Sequence, residues 1–107
     1  MSGGANPHAG EVEILLDGRP HRARLTLGAL AGLEADLGAD SMIALIERFE
    51  GTGFTTRDVL AVLVAGLRGG GWQGRAEELV TVEIGGGPLG AARAAAELIA
   101  RAFRVGP

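Results

Sequence analysis

The alternation of apolar and polar positions is clearest between Glu11 and Leu25. Val12, Ile14 and Leu16 recur at a spacing of two, Asp17-Gly18 interrupts, and Arg19 to Leu25 follows. A period of two marks a half-buried strand. Asp-Gly between two such runs marks a type I′ hairpin turn, because both positions need positive φ and these residues adopt it at low cost. With Leu16 and Arg19 flanking the turn, paired residue numbers sum to 35. That register collects Val12, Ile14 and Leu16 on one face beside His21 and Ala23, with Leu25 beyond. On the other face Glu11 meets Arg24 and Glu13 meets Arg22, as cross-strand pairing favours. Slipping by one residue would turn the apolar set to the wet side. Leu15 and Pro20 fall on the charged face, and Pro20, which donates no N–H, suits an edge strand.

An isolated two-stranded ribbon is marginal in water, so its apolar face needs a lid. The next stretch is expected to supply one. Thr26 suits a helix N-cap, and Leu27, Leu30, Leu33 and Leu37 recur as one helical stripe. Gly38 stands where a left-handed C-cap is expected. Gly28 and Gly32 each cost about 1 kcal/mol against Ala inside a helix; close approach of the hairpin or a glycine-rich genome accounts for them. Asp40 or Ser41 then caps a second helix, Met42 to Glu50. Its wide apolar set fits burial on more than one side, or cover by a partner.

A third helix opens with Thr55 and Asp58 in a capping-box arrangement, Asp replacing the usual Glu. From Val59 to Leu67 it is apolar almost all round, which places it at the centre of a small bundle. Gly69-Gly70-Gly71 stops it. Trp72 is either a peg between helices or an interface anchor. Arg75 to Ile84 reads as a short helix, or as a helix turning into a strand. Gly85-Gly86-Gly87-Pro88 is a second break, with Pro88 in the first turn of a last helix. That helix, Leu89 to Phe103, carries a stripe of Leu89, Ala92, Ala96, Ile99 and Phe103, with Arg93 and Glu97 at i, i+4 opposite. Arg101 and Arg104 near its end suit the helix dipole. The expected fold is α+β: an N-terminal β-hairpin packed on a small bundle of four to five helices. Residues 1–10 are expected to be a flexible N-terminal tail, and residues 11–107 a single domain.

Composition narrows the function. With 47% hydrophobic and 21% charged residues among 107, the chain is globular. Only Phe49, Phe54, Trp72 and Phe103 are aromatic, so the core rests on Leu, Val, Ile and Ala. Net charge is −3 and no basic run stands out, which argues against a nucleic-acid partner. Every basic residue is Arg, which fits a GC-rich genome. The chain has no cysteine, so disulfides and thiolate-bound metals are excluded. The first ten residues lack the basic and apolar regions of a signal peptide. No apolar run approaches the roughly 20 residues that span a bilayer. The cytoplasm is therefore the expected location, with no membrane partner.

No catalytic constellation is legible. His8 and His21 are the only histidines, His8 in the expected tail and His21 near the hairpin tip. Ser2 and Ser41 are the only serines, neither in a nucleophile motif. Asp36 and Asp40 flank a turn without further ligands for a metal. The run Gly69 to Arg75 has no Lys-Ser/Thr ending, so it is not a Walker A loop. Pro88 removes an N–H that a phosphate would use at Gly85 to Pro88. Both glycine runs are expected to be flexible joints, and no cofactor, metal or catalytic residue is expected.

Several segments, taken in order, resemble the small tail proteins of gene transfer agents and related siphophages known as tail assembly chaperones. These are the hairpin, then Leu27-Gly28-Ala29-Leu30-Ala31-Gly32-Leu33-Glu34, then Arg48-Phe49-Glu50-Gly51. Thr55-Thr56-Arg57-Asp58-Val59 follows, with Ala65-Gly66-Leu67-Arg68 near the end of its helix and an Ala-rich helix at the C-terminus. The resemblance covers nearly the whole chain, and Trp72 to Gly87 matches least. It implies a non-enzymatic protein that binds the hydrophobic, helical tape-measure protein while tail-tube subunits polymerise, and that is lost from the finished particle. Such proteins are sometimes called tail tube proteins, so the alternative is a tube or connector subunit retained in the particle. Apolar grooves suit such a role. The candidate partner-binding residues are Leu15, Met42, Ile43, Phe54 and Trp72, Met42 because a flexible thioether adapts to varied partners. An exposed hairpin edge offers homo-oligomers by strand addition.

Overall fold

Alternating side chains and the Asp17-Gly18 turn produce the expected hairpin. The computed structural model describes residues 10–37, 41–51 and 53–103. The tail to Ala9 with His8, the Gly38 cap, Asp40, the Ser41 side chain and the end from Arg104 lie outside the described residues. Strand β1 (Val12–Leu16) pairs antiparallel with β2 (Arg19–Ala23). The register is Val12↔Ala23, Glu13↔Arg22, Ile14↔His21, Leu15↔Pro20 and Leu16↔Arg19, as the turn dictates. Asp17 and Gly18 take φ of 51° and 80°. Val12, Ile14, Leu16, Ala23 and Leu25 are buried, while Glu13 and Arg22 face solvent.

Among the described residues five helices follow: α1 (Leu27–Leu37), α2 (Ser41–Glu50), α3 (Thr56–Gly69), α4 (Ala76–Thr81) and α5 (Gly87–Ala102). The fold is thus the expected α+β arrangement of a hairpin on a helical bundle. Thr26 caps α1, its Oγ1 accepting from Ala29 N at 3.0 Å. The lid, however, is not α1. Helix α3 packs along β2 and α5 along β1, while α1 packs on α3. Of the expected α1 stripe, Leu33 is 2% exposed and Leu27 is 87% exposed; Leu30 is half-buried.

The reason lies in the glycines of α3. Arg24 N donates to Gly66 O at 2.8 Å, a strand-to-helix bond. A Cβ on Gly69 would stand 2.0 Å from Arg24 O, and one on Gly70 would stand 1.9 Å from Arg22 O. Backbone meets backbone there, so only a residue without a side chain fits. The run expected to be a flexible joint is instead the contact surface between α3 and β2. Gly28 and Gly32 take no part in it: among the described residues, no atom lies within 4 Å of a Cβ built on Gly32, and only Thr26 Oγ1, at 3.8 Å, near one on Gly28.

Around this contact the core closes. Helix α3 contributes Val59, Val62, Leu63 and Leu67. Helix α5 contributes Ala91, Ala94, Ala95, Leu98 and Ile99. This is not the stripe the sequence suggests: Leu89 is 63% and Phe103 41% exposed. An alanine-rich helix gives large side chains little say in its orientation, and its small face lets the hairpin approach. Glu97 pairs at 3.0 Å with Arg101, one turn after it, rather than with the expected Arg93, one turn before it. After Trp72 comes the short helix α4, followed among the described residues by an isolated bridge, Ile84↔Leu16, rather than a strand. Asp17 N donates to Glu83 O at 2.8 Å and Gly85 N to Leu15 O at 2.9 Å, so this segment covers the turn end of β1.

The α2–α3 corner is stapled by charge and by rings. Thr55 and Asp58 form the expected capping box. The sequence does not announce their third partner. Arg48 grips the Asp58 carboxylate with both Nε (2.7 Å) and Nη2 (2.8 Å), a bidentate geometry stronger than a single bond. Phe49 stacks on Phe54 with centroids 5.0 Å apart. The Arg48 hydrogen bonds hold the Asp58 carboxyl below its ordinary value near 3.8; burial opposes them and the Thr55 N–H adds to them. A carboxyl depressed in the folded state contributes stability above its unfolded pKa. That stability is lost as pH falls through the folded value.

Two outcomes are expected in thermal melts. Gly70→Ala lowers stability by about 1–3 kcal/mol through overpacking, whereas Leu27→Ala stays within about 0.5 kcal/mol of wild type. Wild-type stability falls as pH drops below about 4, and Arg48→Gln flattens that part of the pH profile while lowering the melting midpoint at neutral pH.

Candidate functional site

Helix α3 carries two stripes. Val59, Val62, Leu63, Gly66 and Leu67 face the core. Leu60, Ala61, Val64 and Ala65, three and four residues apart, are half-buried and turned toward α1. This second stripe explains why the sequence of α3 is apolar almost all round. Together with Leu33, Ala29, Gly28 and Gly32 of α1 it lines an open groove of about 770 Å³. Arg57 and Arg68 stand on the groove face of α3, and Asp36 on the α1 side. Neither arginine has a carboxylate partner among the described residues; Arg68 Nη2 makes only a long 3.4 Å bond to Gly74 O. The groove is therefore apolar along its floor, with unpaired positive charge on its rim.

The groove is open because α1 cannot close it. Its wall on that side is two glycines and an alanine, and its largest inward residue, Leu33, is committed to the core. Ala29 sits near Gly69, so α1 begins where α3 ends and runs antiparallel to it.

A second cleft of about 570 Å³ lies beside the hairpin turn, lined by Leu16, Asp17, Arg19, His21, Trp72 and Glu78 among others. Three of its polar side chains lie against backbone. Asp17 Oδ1 accepts from Glu83 N at 2.9 Å, Glu78 Oε1 accepts from Arg75 N at 2.9 Å, and His21 Nδ1 lies 3.0 Å from Arg19 O. These contacts shape the turn and cap α4. Among the described residues, no group of three or more His, Cys, Asp or Glu is placed to hold a metal ion. No helix in them is long and apolar enough to cross a membrane.

The residues singled out in the sequence fall apart in space. Met42, at 8% exposure, lies among the core residues. Its helix turns inward on the Met42–Leu45 side and leaves Ile43, 66% exposed, outside. Leu15 is 39% exposed and rests against Gly85. Phe54 is half-buried with one ring face on Phe49. Trp72 is half-buried in the second cleft, close over Gly74. These residues occupy separate elements, and none lines the α1–α3 groove. Conversely, the groove residues Leu60, Ala61, Val64 and Ala65 were legible only as part of an apolar helix. The available signal was small residues repeating at i, i+4 on two neighbouring helices: Gly28 and Gly32, Ala61 and Ala65.

Neither the comparison with curated proteins nor that with solved structures yields a match. The comparison with family models does, and it fits the hairpin, the capped α3 and the Ala-rich α5 within one span. Residues 9–105 match the family described as "Phage tail tube protein, GTA-gp10", and the chain belongs to that family of gene-transfer-agent and phage tail proteins.

Proposed function

We propose that this tail protein is a non-enzymatic assembly chaperone that holds a hydrophobic helical stretch of the tape-measure protein while tail-tube subunits polymerise around it. The observation that carries this reading is the open apolar groove between α1 and α3, floored by Leu33, Leu60 and Val64. A helix laid in such a groove hides one of its apolar faces from water, at about 25 cal/mol per Å² covered. The Asp17 and Glu78 carboxylates of the second cleft serve the turn and the α4 cap, which supports binding over catalysis. On this reading the protein acts in the cytoplasm of the producing cell, uses no cofactor, contacts no nucleic acid and leaves before the particle is complete. Ile43 and Leu15, exposed on other elements, are separate candidate contacts, and a homo-oligomer through the hairpin edge is compatible with this reading.

The second reading is a tail-tube or connector subunit that stays in the particle. The family description, which says "tail tube protein", favours it. Co-expression and mass spectrometry separate the two. The chaperone reading predicts that co-expression raises the soluble yield of the tape-measure protein severalfold, and that purified particles contain this chain far below the tube subunit's stoichiometry. Unchanged yield together with stoichiometric retention would replace it with the structural reading.

A further inference from the structure

Gly28 and Gly32 are costly inside a helix, and nothing among the described residues requires them. Gly32 has open space where its Cβ would be, and Gly28 meets only Thr26 Oγ1 at ordinary contact distance. Glycines that the fold requires look different: those of α3 press on strand backbone. The α1 glycines instead border the groove and leave two side-chain volumes vacant along one wall.

The charges on the rim are unequal. Arg57 and Arg68 lie eleven residues apart on α3, about 16 Å along its axis. Because α1 runs antiparallel, Asp36 belongs to the Arg57 end, and Arg68 is the one charged residue lining the other end among the described residues; the Glu78 carboxylate stands beyond it, close to Gly74. In a chain of net charge −3, this is a local site for a carboxylate.

We propose, resting on the chaperone reading, that the groove seats an amphipathic α-helix of the partner. Its aliphatic side chains fill the gaps beside Gly28 and Gly32, and an acidic residue at one end meets Arg68. The groove fixes both the occupant and its direction. Large apolar knobs need the vacant glycine positions, and Arg68 orients the helix. The glycines are then retained for binding at the expense of helix stability, a common cost of a functional surface.

The test uses the full chain and two labelled helical peptides of about 18 residues, or five turns. They share a Leu-rich seam and differ only in carrying Glu or Lys at one end. Fluorescence anisotropy should give the Glu peptide an affinity at least about tenfold higher at low salt, and Arg68→Gln should close that gap. Gly32→Ala should melt at or above the wild-type midpoint yet bind the Glu peptide about tenfold more weakly, since one methyl overfills the seam. Gly28→Ala repeats the measurement at a second site.

Equal affinities for the two peptides, or undiminished binding by both glycine variants, would overturn the assignment. So would sedimentation showing a wild-type dimer that Gly32→Ala makes monomeric, because the occupant would then be a second copy. Co-expression with the tape-measure protein separates this proposal from the reading beneath it. If wild type and Gly32→Ala solubilise that protein equally, the groove assignment falls and the chaperone role stands. If the peptides discriminate as expected but the tape-measure protein stays insoluble, the groove assignment stands and the chaperone role falls.

Discussion

The structure depends on the contact of α3 with the backbone of β2. Gly66 O accepts from Arg24 N, and Gly69 and Gly70 lie so near the carbonyls of Arg24 and Arg22 that no side chain fits between. A helix this close to a strand gives the hairpin the support it cannot provide for itself. It also fixes what is left over. With β2 and α5 both packed against it, Leu98 and Ala23 meeting at Gly66, α3 has one apolar stripe still to cover. The helix beside that stripe is α1, which brings glycine and alanine to the seam. One close contact therefore produces both the closed core and the open groove.

The staple at the other end of α3 serves the same arrangement. Arg48, Thr55 and Asp58 tie the end of α2 to the start of α3, and the Phe49–Phe54 stack shields the corner. Breaking such a pair leaves a carboxylate with 6% exposure short of partners, and the loss of one partner of a buried pair is costly. The corner thereby holds the first turn of α3, with Arg57, in place at one end of the groove.

Local chemistry made much of this legible in the sequence. The Asp17-Gly18 turn and the period of two sufficed for the hairpin register, because those signals act between neighbours. The caps at Thr26 and Thr55 were readable for the same reason. What the sequence did not disclose is which apolar face meets which. The stripe of leucines in α1 was read as a lid, yet Leu27 is exposed and α3 takes that place. The decision rests on the fit of Gly69 and Gly70 to carbonyls more than forty residues away in the chain, and no periodicity records it. Arg48 and Asp58 are likewise joined across a loop. In α5, alanines outnumber large residues, so the pattern could not choose between faces. The breadth of the apolar set in α2 does not say that Met42 points inward and Ile43 outward. The groove was half legible: α3 was visibly apolar all round, but its second stripe was indistinguishable from core.

The central claim is that the second stripe of α3 is a binding surface for another polypeptide. Site-specific photo-crosslinking from position 64 during tail assembly tests it most directly, with position 93 on the exposed side of α5 as the control. A crosslink to another tail protein from position 64, and none from 93, is the predicted result. Crosslinks from 93 with none from 64 would contradict it.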